Sequence, residues 1–178
     1  LKEQDLQTSQ ASILPNTVDT GRFSIGKQPS YLLKRHGLSP EQPVVLTVCR
    51  LCSTETYKSY EKVIEAIPKV KESIPNIHYL IAGKGDDRPR LEQLIAHSGL
   101  QDCITLVGFV PDEELCAYYQ LCDVFAMPSK LEGFGIVYLE AIACGKPALG
   151  GNQDGTVDAL CQGELGALVY PDSPEEIS

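Results

Sequence analysis

No run of about eighteen apolar residues, the length that a membrane-spanning helix needs, occurs in this 178-residue chain. The amino terminus is polar and lacks the apolar core of a signal peptide. We therefore expect a cytoplasmic protein without a transmembrane segment. The chain also lacks an initiator Met, which favours an excised piece or a processed product. Repeats and low-complexity tracts are absent, and 43% hydrophobic residues at this length indicate one globular domain.

Positive charge is scarce. The chain has 15 Lys and Arg residues against 24 Asp and Glu residues, a formal net charge of −9. Binding to nucleic acid depends mainly on neutralising phosphates, so this balance argues against a nucleic-acid partner. One small phosphorylated ligand remains compatible with it, because such a ligand needs only a local cluster of donors.

Residues at metal-binding spacings are also lacking. The three histidines are dispersed, and Cys49-Arg50-Leu51-Cys52 has no second cysteine pair or nearby histidine to complete a zinc site. The seven cysteines are an odd number, and most lie in apolar runs, as free thiols in a reducing compartment do. We expect no metal and no cofactor.

Strand-length apolar runs alternate with segments of helical period. The predicted strands cover residues 43–50, 77–82, 104–110, 124–127, 147–149 and 165–170. The predicted helices cover residues 58–74, 88–96, 112–121, 136–144 and 156–161. This alternation predicts a Rossmann-like α/β fold, a doubly wound parallel sheet of about six strands with helices on both faces. Pro68 should break or kink the first helix.

The end of the chain carries a helix start. Ser173 is a capping residue, Pro174 suits the first helical position, and acids follow in the first turn. Only a few residues remain after this start. We therefore expect a chain truncated within a larger parent protein.

Ligands of such sheets bind beyond the carboxyl ends of the strands. The first strand-to-helix turn carries Arg50, followed by Lys58, and the two cations could clamp a diphosphate. Taken alone, the two residues are better interpreted as a pair of solvated bases. Further glycine-containing or helix-starting turns follow at residues 82–87, 108–112 and 150–156. So many turns of this chemistry on one sheet edge are hard to explain by packing alone.

The stretch EGFGIVYLE, residues 132–140, is the most informative turn. A helix starting near Gly135 leaves the N–H groups of residues 133–136 free for a phosphate. Glu132 and Glu140 would repel that phosphate, so we expect them to accept hydrogen bonds from sugar hydroxyls. Alternatively, Glu132 favours the helix dipole and Glu140 is solvated. The apolar neighbours of Glu140 oppose solvation and indicate a partner.

The segment PSKLEGFGIVYLEAIACGKP, residues 128–147, resembles the signature of group-one retaining, nucleotide-sugar-dependent glycosyltransferases of the GT-B fold. In that family two glutamates bracket a G-F-G turn with seven residues between them. The resemblance extends over nearly the whole chain. Residues 13–19 and Phe23 are similar to the family's interdomain segment, and Arg50 and Lys58 to its R-L…K-G element.

The resemblance implies that residues 1–178 are the C-terminal, nucleotide-sugar-binding domain of a hexosyltransferase whose N-terminal acceptor domain is absent. Arg50 and Lys58 would hold the diphosphate of a UDP-, GDP- or ADP-sugar. The candidate catalytic residue, Glu132, would bind sugar hydroxyls near the reacting carbon, Glu140 the ribose, and the main chain near Val110 the base. Support for phosphate and sugar would come from the backbone of Gly133, Phe134, Gly135 and Ile136.

The family works without a bound metal, and this chain has no D-x-D motif. The acceptor would bind mainly to the missing half, which could also bring the full protein to a membrane surface. The fragment alone should be inactive. Three features depart from the family pattern: Arg50 and Lys58 are two residues further apart, Ser59 replaces a glycine, and Gly155-Thr156-Val157-Asp158 replaces G-G-x-x-E.

Two other functions remain open at this point. One is an epimerase-type nucleotide-sugar enzyme of the same fold, which would need catalytic acids from the missing half. The other is a non-catalytic nucleotide-sugar-binding module, although the joint presence of Arg50, Glu132 and Glu140 argues against a decayed site. A nicotinamide dehydrogenase is disfavoured, because no G-x-G-x-x-G follows the first core strand.

Overall fold

A computed structural model describes residue 14 and residues 16–178 of this protein. Six parallel strands lie in the order β3-β2-β1-β4-β5-β6. Their bounds are β1 Val44–Val48, β2 His78–Ala82, β3 Ile104–Gly108, β4 Val124–Met127, β5 Ala148–Gly151 and β6 Gly166–Val169. The prediction of a Rossmann-like sheet of about six strands is confirmed.

Seven α-helices connect and flank the strands in the described residues. They are α1 Ser30–His36, α2 Tyr60–Ser73, α3 Arg88–His97, α4 Asp112–Leu121, α5 Ile136–Ala143, α6 Thr156–Ala159 and α7 Pro174–Ile177. The last begins as expected, with the Ser173 side chain accepting a hydrogen bond from the Glu176 N–H at 3.2 Å. Short 3-10 turns cover Thr56–Lys58 and Cys161–Gly163.

The hydrophobic core is divided by the sheet into two clusters. Side chains of α1, α4, α5 and α6 pack in one cluster, and side chains of α2, α3 and α7 pack in the other. Helices therefore cover both faces, as the doubly wound fold requires. The β2 strand is buried at all five positions, which agrees with its continuous apolar sequence.

Three details of the sequence prediction are corrected. Of the break or kink predicted at Pro68, the break is wrong, because helix α2 continues through this residue. An internal proline costs about 3 kcal/mol, but burial of Ile64, Ala66 and Ile67 on the same helix outweighs this at about 1.5–3 kcal/mol per large side chain. Lys58 lies in the 3-10 turn rather than in α2, because Ser59 adopts a left-handed conformation with φ of 54°. Helix α1 was not predicted.

The strand order places the ligand-binding edge between β1 and β4. These neighbours are parallel, and the chain leaves them in opposite directions across the sheet, β1 towards β2 and β4 towards β5. The carboxyl ends of such a neighbouring pair form a crevice at the point where the strand order reverses. Arg50 follows β1 and the EGFG turn follows β4, so the two predicted site segments meet there.

Candidate functional site

A cleft of about 450 Å³ lies at the carboxyl ends of β1 and β4. Most of the predicted donor-binding residues line it, and they come from three separate segments of the chain. They are Arg50, Lys58, Glu132, Gly133, Phe134, Gly135 and Ile136, and Asn16 lies with them. Of the predicted interdomain segment, Phe23 is buried, whereas residues 13 and 15 lie outside the described part of the chain.

The floor of the cleft is the start of helix α5. Gly135 caps this helix with φ of 85°, and a methyl group there would lie 2.4 Å from the Tyr138 ring. The fold itself thus requires Gly135. At Gly133 an added methyl group would meet no atom within 4 Å, so this glycine leaves open space in the cleft.

The N–H groups of residues 133–136 donate no hydrogen bond to any residue that the structure describes. Gly135 and Ile136 belong to the amino terminus of α5, and Gly133 and Phe134 lie in the turn just before it. The dipole of the helix also favours negative charge at this end. The helix start that the sequence predicted near Gly135 is confirmed. This end of α5 is therefore suited to a phosphate.

An ion pair between Lys58 Nζ and Glu132 Oε2 crosses the cleft. Both side chains are mostly buried, at 14% and 18% exposure. The segments that carry them are also joined through the main chain, because the Lys130 N–H donates to the Tyr57 carbonyl at 2.8 Å. The wider spacing from Arg50 has not removed Lys58 from the cleft.

Asp154 holds the backbone of Glu132 and was missed at the sequence level. Its Oδ2 accepts from the Glu132 N–H at 2.5 Å, and its Oδ1 accepts from the Thr156 N–H at 2.9 Å. The Gly155 N–H donates to the Glu132 carbonyl at 2.9 Å. Both backbone groups of Glu132 are thus fixed by the turn after β5. The sequence showed a polar, glycine-rich turn there but not its partner 22 residues away.

Arg50 lies at the outer edge of the cleft and is 76% exposed. It donates to Glu55 Oε1 at 2.7 Å, while Glu55 Oε2 is buried without a hydrogen-bond partner among the described residues. The guanidinium is therefore tethered at one end and open to solvent along most of its surface. Arg50 also borders a second, smaller cavity.

The smaller cavity has a volume of about 240 Å³ and contains Val110. Its wall includes Lys84, whose ammonium lies 4.7 Å from the centroid of the Phe109 ring. Gly83 also lines it, but a methyl group there would lie 1.8 Å from the Cys49 carbonyl oxygen. This glycine therefore allows close packing of the chain on itself. The residues shared by both cavities, Val48, Cys49 and Arg50, make them adjacent.

Glu140 lies on α5 outside the lining of the 450 Å³ cleft. The Tyr119 hydroxyl donates to its Oε2 at 2.7 Å, so the expected partner of this carboxylate exists. Burial raises the pKa of Glu140, and the hydrogen bond from Tyr119 opposes that rise. Its second oxygen, Oε1, accepts no hydrogen bond from the described residues.

All seven cysteines are free thiols, as predicted. Burial raises the pKa of Cys49, in the wall of the cleft, to about 12. Within residues 14 and 16–178, no group of three or more His, Cys, Asp and Glu side chains has the arrangement of a metal site. No helix in the same residues is long and apolar enough to cross a membrane.

Comparison with solved structures confirms the fold. The Anabaena protein HepE, solved in complex with UDP and glucose, superposes with a TM-score of 0.82 at 24% identity, over 96% of this chain and 46% of its own. A separately solved C-terminal domain of a group 1 glycosyl transferase from Francisella tularensis gives a TM-score of 0.74 at 23% identity, over 90% of this chain and 84% of its own. The sheet and its helices match one half of GT-B glycosyltransferases.

Sequence comparison identifies the family. A curated relative from Mycolicibacterium smegmatis, a GDP-mannose-dependent alpha-(1-6)-phosphatidylinositol monomannoside mannosyltransferase, is 33% identical over 164 residues. The match spans 88% of this chain but only 42% of that relative. The family model described as glycosyl transferases group 1 matches residues 31–178. The chain therefore belongs to the group 1 family of glycosyltransferases.

Proposed function

We propose that this chain is the nucleotide-sugar-binding, C-terminal half of a glycosyltransferase that transfers a hexose with retention of anomeric configuration. The observation that carries the proposal is the cleft at the β1/β4 switch point. There the free N–H groups of residues 133–136, the Lys58 ammonium and the Glu132 carboxylate line one space. The family membership of the chain supports the reaction type.

The donor's diphosphate lies at the amino end of α5 in this proposal. Backbone N–H groups and the helix dipole stabilise its negative charge, and Lys58 and Arg50 supply charge-assisted hydrogen bonds. The open space at Gly133 lets the phosphate and sugar approach the main chain. Arg50 is exposed enough to turn from Glu55 towards a ligand.

The remaining donor groups are assigned to the other site residues. Glu132, the candidate catalytic residue, accepts hydrogen bonds from sugar hydroxyls near the reacting carbon. Glu140 accepts from the ribose through Oε1, while Tyr119 holds Oε2. The base enters the smaller cavity and meets the main chain near Val110.

Relatives of this chain indicate which bases the donor could carry. A mycolicibacterial relative is named for GDP-mannose, and a structural neighbour was solved with UDP. A GDP-sugar and a UDP-sugar are therefore candidate donors here, with an ADP-sugar as a third. The chain spans less than half of the mannosyltransferase, so we assign acceptor binding to the remaining half.

Titration calorimetry tests the proposal on the 178-residue chain. Six ligands are titrated into the protein separately: the nucleotides UDP, GDP and ADP, and the nucleotide-sugars UDP-glucose, GDP-mannose and ADP-glucose. At least one sugar conjugate should bind, and addition of EDTA should leave its affinity unchanged because no metal takes part. No binding of any of the six at millimolar concentration contradicts the proposal. Glu164→Gln, a distant exposed charge change, is the control.

A further inference from the structure

In the proposed function, the two members of the Lys58–Glu132 ion pair contact different parts of a bound donor. Lys58 would hold phosphate, and Glu132 would hold sugar hydroxyls. In this structure each is the other's partner. We propose that this pair makes the cleft discriminate between the intact nucleotide-sugar and the nucleoside diphosphate that remains after transfer. The inference rests on the proposed function.

The backbone under this pair is fixed. Asp154 and Gly155 hold both backbone groups of Glu132, and Lys130 joins the Glu132 segment to the turn that carries Lys58. A ligand must therefore open the pair by side-chain rotation. The long stem of Lys58 allows its ammonium to move towards a phosphate at the end of α5, whereas the Glu132 carboxylate stays close to its fixed main chain.

A nucleoside diphosphate can satisfy only one member of the pair. If Lys58 turns to the terminal phosphate, the Glu132 carboxylate loses its cation while 18% exposed and faces an additional negative charge. A buried charge without a partner is strongly unfavourable. If Lys58 stays with Glu132, the phosphate loses Lys58.

An intact nucleotide-sugar can satisfy both members. Its phosphate takes Lys58, and its sugar hydroxyls replace the ammonium as donors to Glu132. When the sugar departs in the transfer reaction, Glu132 loses those donors and recaptures Lys58. The hold on the product diphosphate then weakens, which favours its release. Arg50 is left out of this discrimination, because its partner is Glu55, a residue to which the proposed function gives no contact with the sugar.

Glu132→Gln tests this inference by freeing Lys58 with little change in shape. The tightest-binding diphosphate of the six-ligand titration and its sugar conjugate are measured on wild type and variant. We expect the diphosphate to bind about three- to tenfold more tightly to the variant, the range for loss of a competing, partly buried ion pair. The sugar conjugate should bind no more tightly than to wild type. The ratio of the two affinities therefore shifts towards the diphosphate.

Glu55→Gln is the matched control, because it removes one negative charge from the partner of Arg50 beside the same cleft. Removal of the Glu55 charge should strengthen the binding of the diphosphate and of the sugar conjugate alike, because both carry phosphate. The ratio of the two affinities in Glu55→Gln should therefore stay at the wild-type value. In a Lys58→Gln background, the gain from Glu132→Gln should shrink, since no lysine remains to be freed.

The outcomes separate the inference from the function on which it rests. If wild type binds a ligand but Glu132→Gln leaves the affinity ratio unchanged, the inference is wrong and the proposed function stands. An unchanged diphosphate affinity in that variant overturns it as well. If wild type binds none of the six ligands, the proposed function fails and the inference falls with it.

Discussion

Single residues in the cleft separate the requirements of folding from those of binding. Gly133 and Gly135 are two positions apart, yet their surroundings differ. Gly135 needs a left-handed backbone and lies against Tyr138, whereas a side chain at Gly133 would enter empty space. The sequence presented both as members of one G-F-G turn. Only the structure shows which one the fold requires and which one leaves room for a ligand.

Substitution of these two glycines should therefore have opposite consequences. Gly133→Val should change the free energy of unfolding by less than about 0.5 kcal/mol, as at an open surface position, while abolishing ligand binding. Gly135→Val should lower it by about 2–4 kcal/mol, through left-handed strain and overlap with Tyr138. Urea denaturation and calorimetric titration of both variants measure the two effects. Strong ligand binding by Gly133→Val would show that the space is not used.

Glu140 should give the stability of the protein a pH dependence. Its pKa is raised in the folded chain, mainly by burial, so the folded state binds more protons than the unfolded state. The free energy of unfolding should therefore fall as pH rises from the unfolded value of about 4.3 through the raised pKa. Glu140→Gln should lack this component. Urea denaturation across this pH range, on both proteins, would contradict the account if the difference between them were constant.

The same residue should affect ligands differently from Glu132. Glu140→Gln weakens hydrogen bonding to the ribose, which is present in both the free nucleotide and the nucleotide-sugar. Both ligands should therefore lose affinity by about the same factor, roughly three- to tenfold, because the neutral amide still accepts a hydrogen bond and only the contribution of the charge is lost. Calorimetry on the two ligands measures this. A loss of affinity for the sugar conjugate alone would contradict this assignment and place Glu140, rather than Glu132, at the sugar.

At the scale of elements, the turn before α2 contains a serine, Ser59, in a backbone conformation that usually belongs to glycine. The family pattern has glycine after the lysine, and here Ser59 adopts the left-handed conformation that glycine favours. Glycine would relieve the left-handed strain, which amounts to about 1–2 kcal/mol. This gain exceeds the additional conformational entropy that glycine loses on folding, about 0.5–1 kcal/mol. Ser59→Gly should thus stabilise the protein by about 0.5–1 kcal/mol in urea denaturation. Ser59→Ala, which keeps the strain, should give no gain.

The turn between β5 and α6 should be sensitive at Asp154. Two backbone N–H groups share its carboxylate, and the side chain of Asn can accept from only one of them without turning its own NH₂ towards the other. Asp154→Asn should cost about 1–2 kcal/mol of stability. It should also weaken the nucleotide-sugar more than the free nucleotide, because Glu132 loses its fixed position. Equal weakening of both ligands would indicate a structural role alone.

Elements with strong local patterns were predictable, and contacts between distant segments were not. The six strands and the start of α5 followed from apolar runs and glycine positions. Helix α1 was harder to predict, because it has only seven residues and shows few turns of helical period. Its one clear signal is Gly37, which ends the helix in the common left-handed cap. The Lys58–Glu132 pair spans 74 residues and the Asp154–Glu132 contact 22, so both depend on strand order rather than on local sequence.

At the scale of the whole molecule, the fold brings opposite charges into one cleft of an acidic protein. The net charge of −9 argued against nucleic acid but left a local anion site compatible. The structure provides such a site where the strand order reverses, and the helix end compensates for the surrounding acids. The chain covers 42% of the length of the mannosyltransferase relative.

The proposed function places a donor's diphosphate at the amino end of α5. The most direct test is an amide nitrogen–proton NMR titration of the 178-residue chain with UDP-glucose and GDP-mannose. The largest shifts should belong to the N–H groups of residues 133–136, since these would gain hydrogen bonds to phosphate. Saturable binding that leaves these four amides unshifted would contradict this placement of the diphosphate.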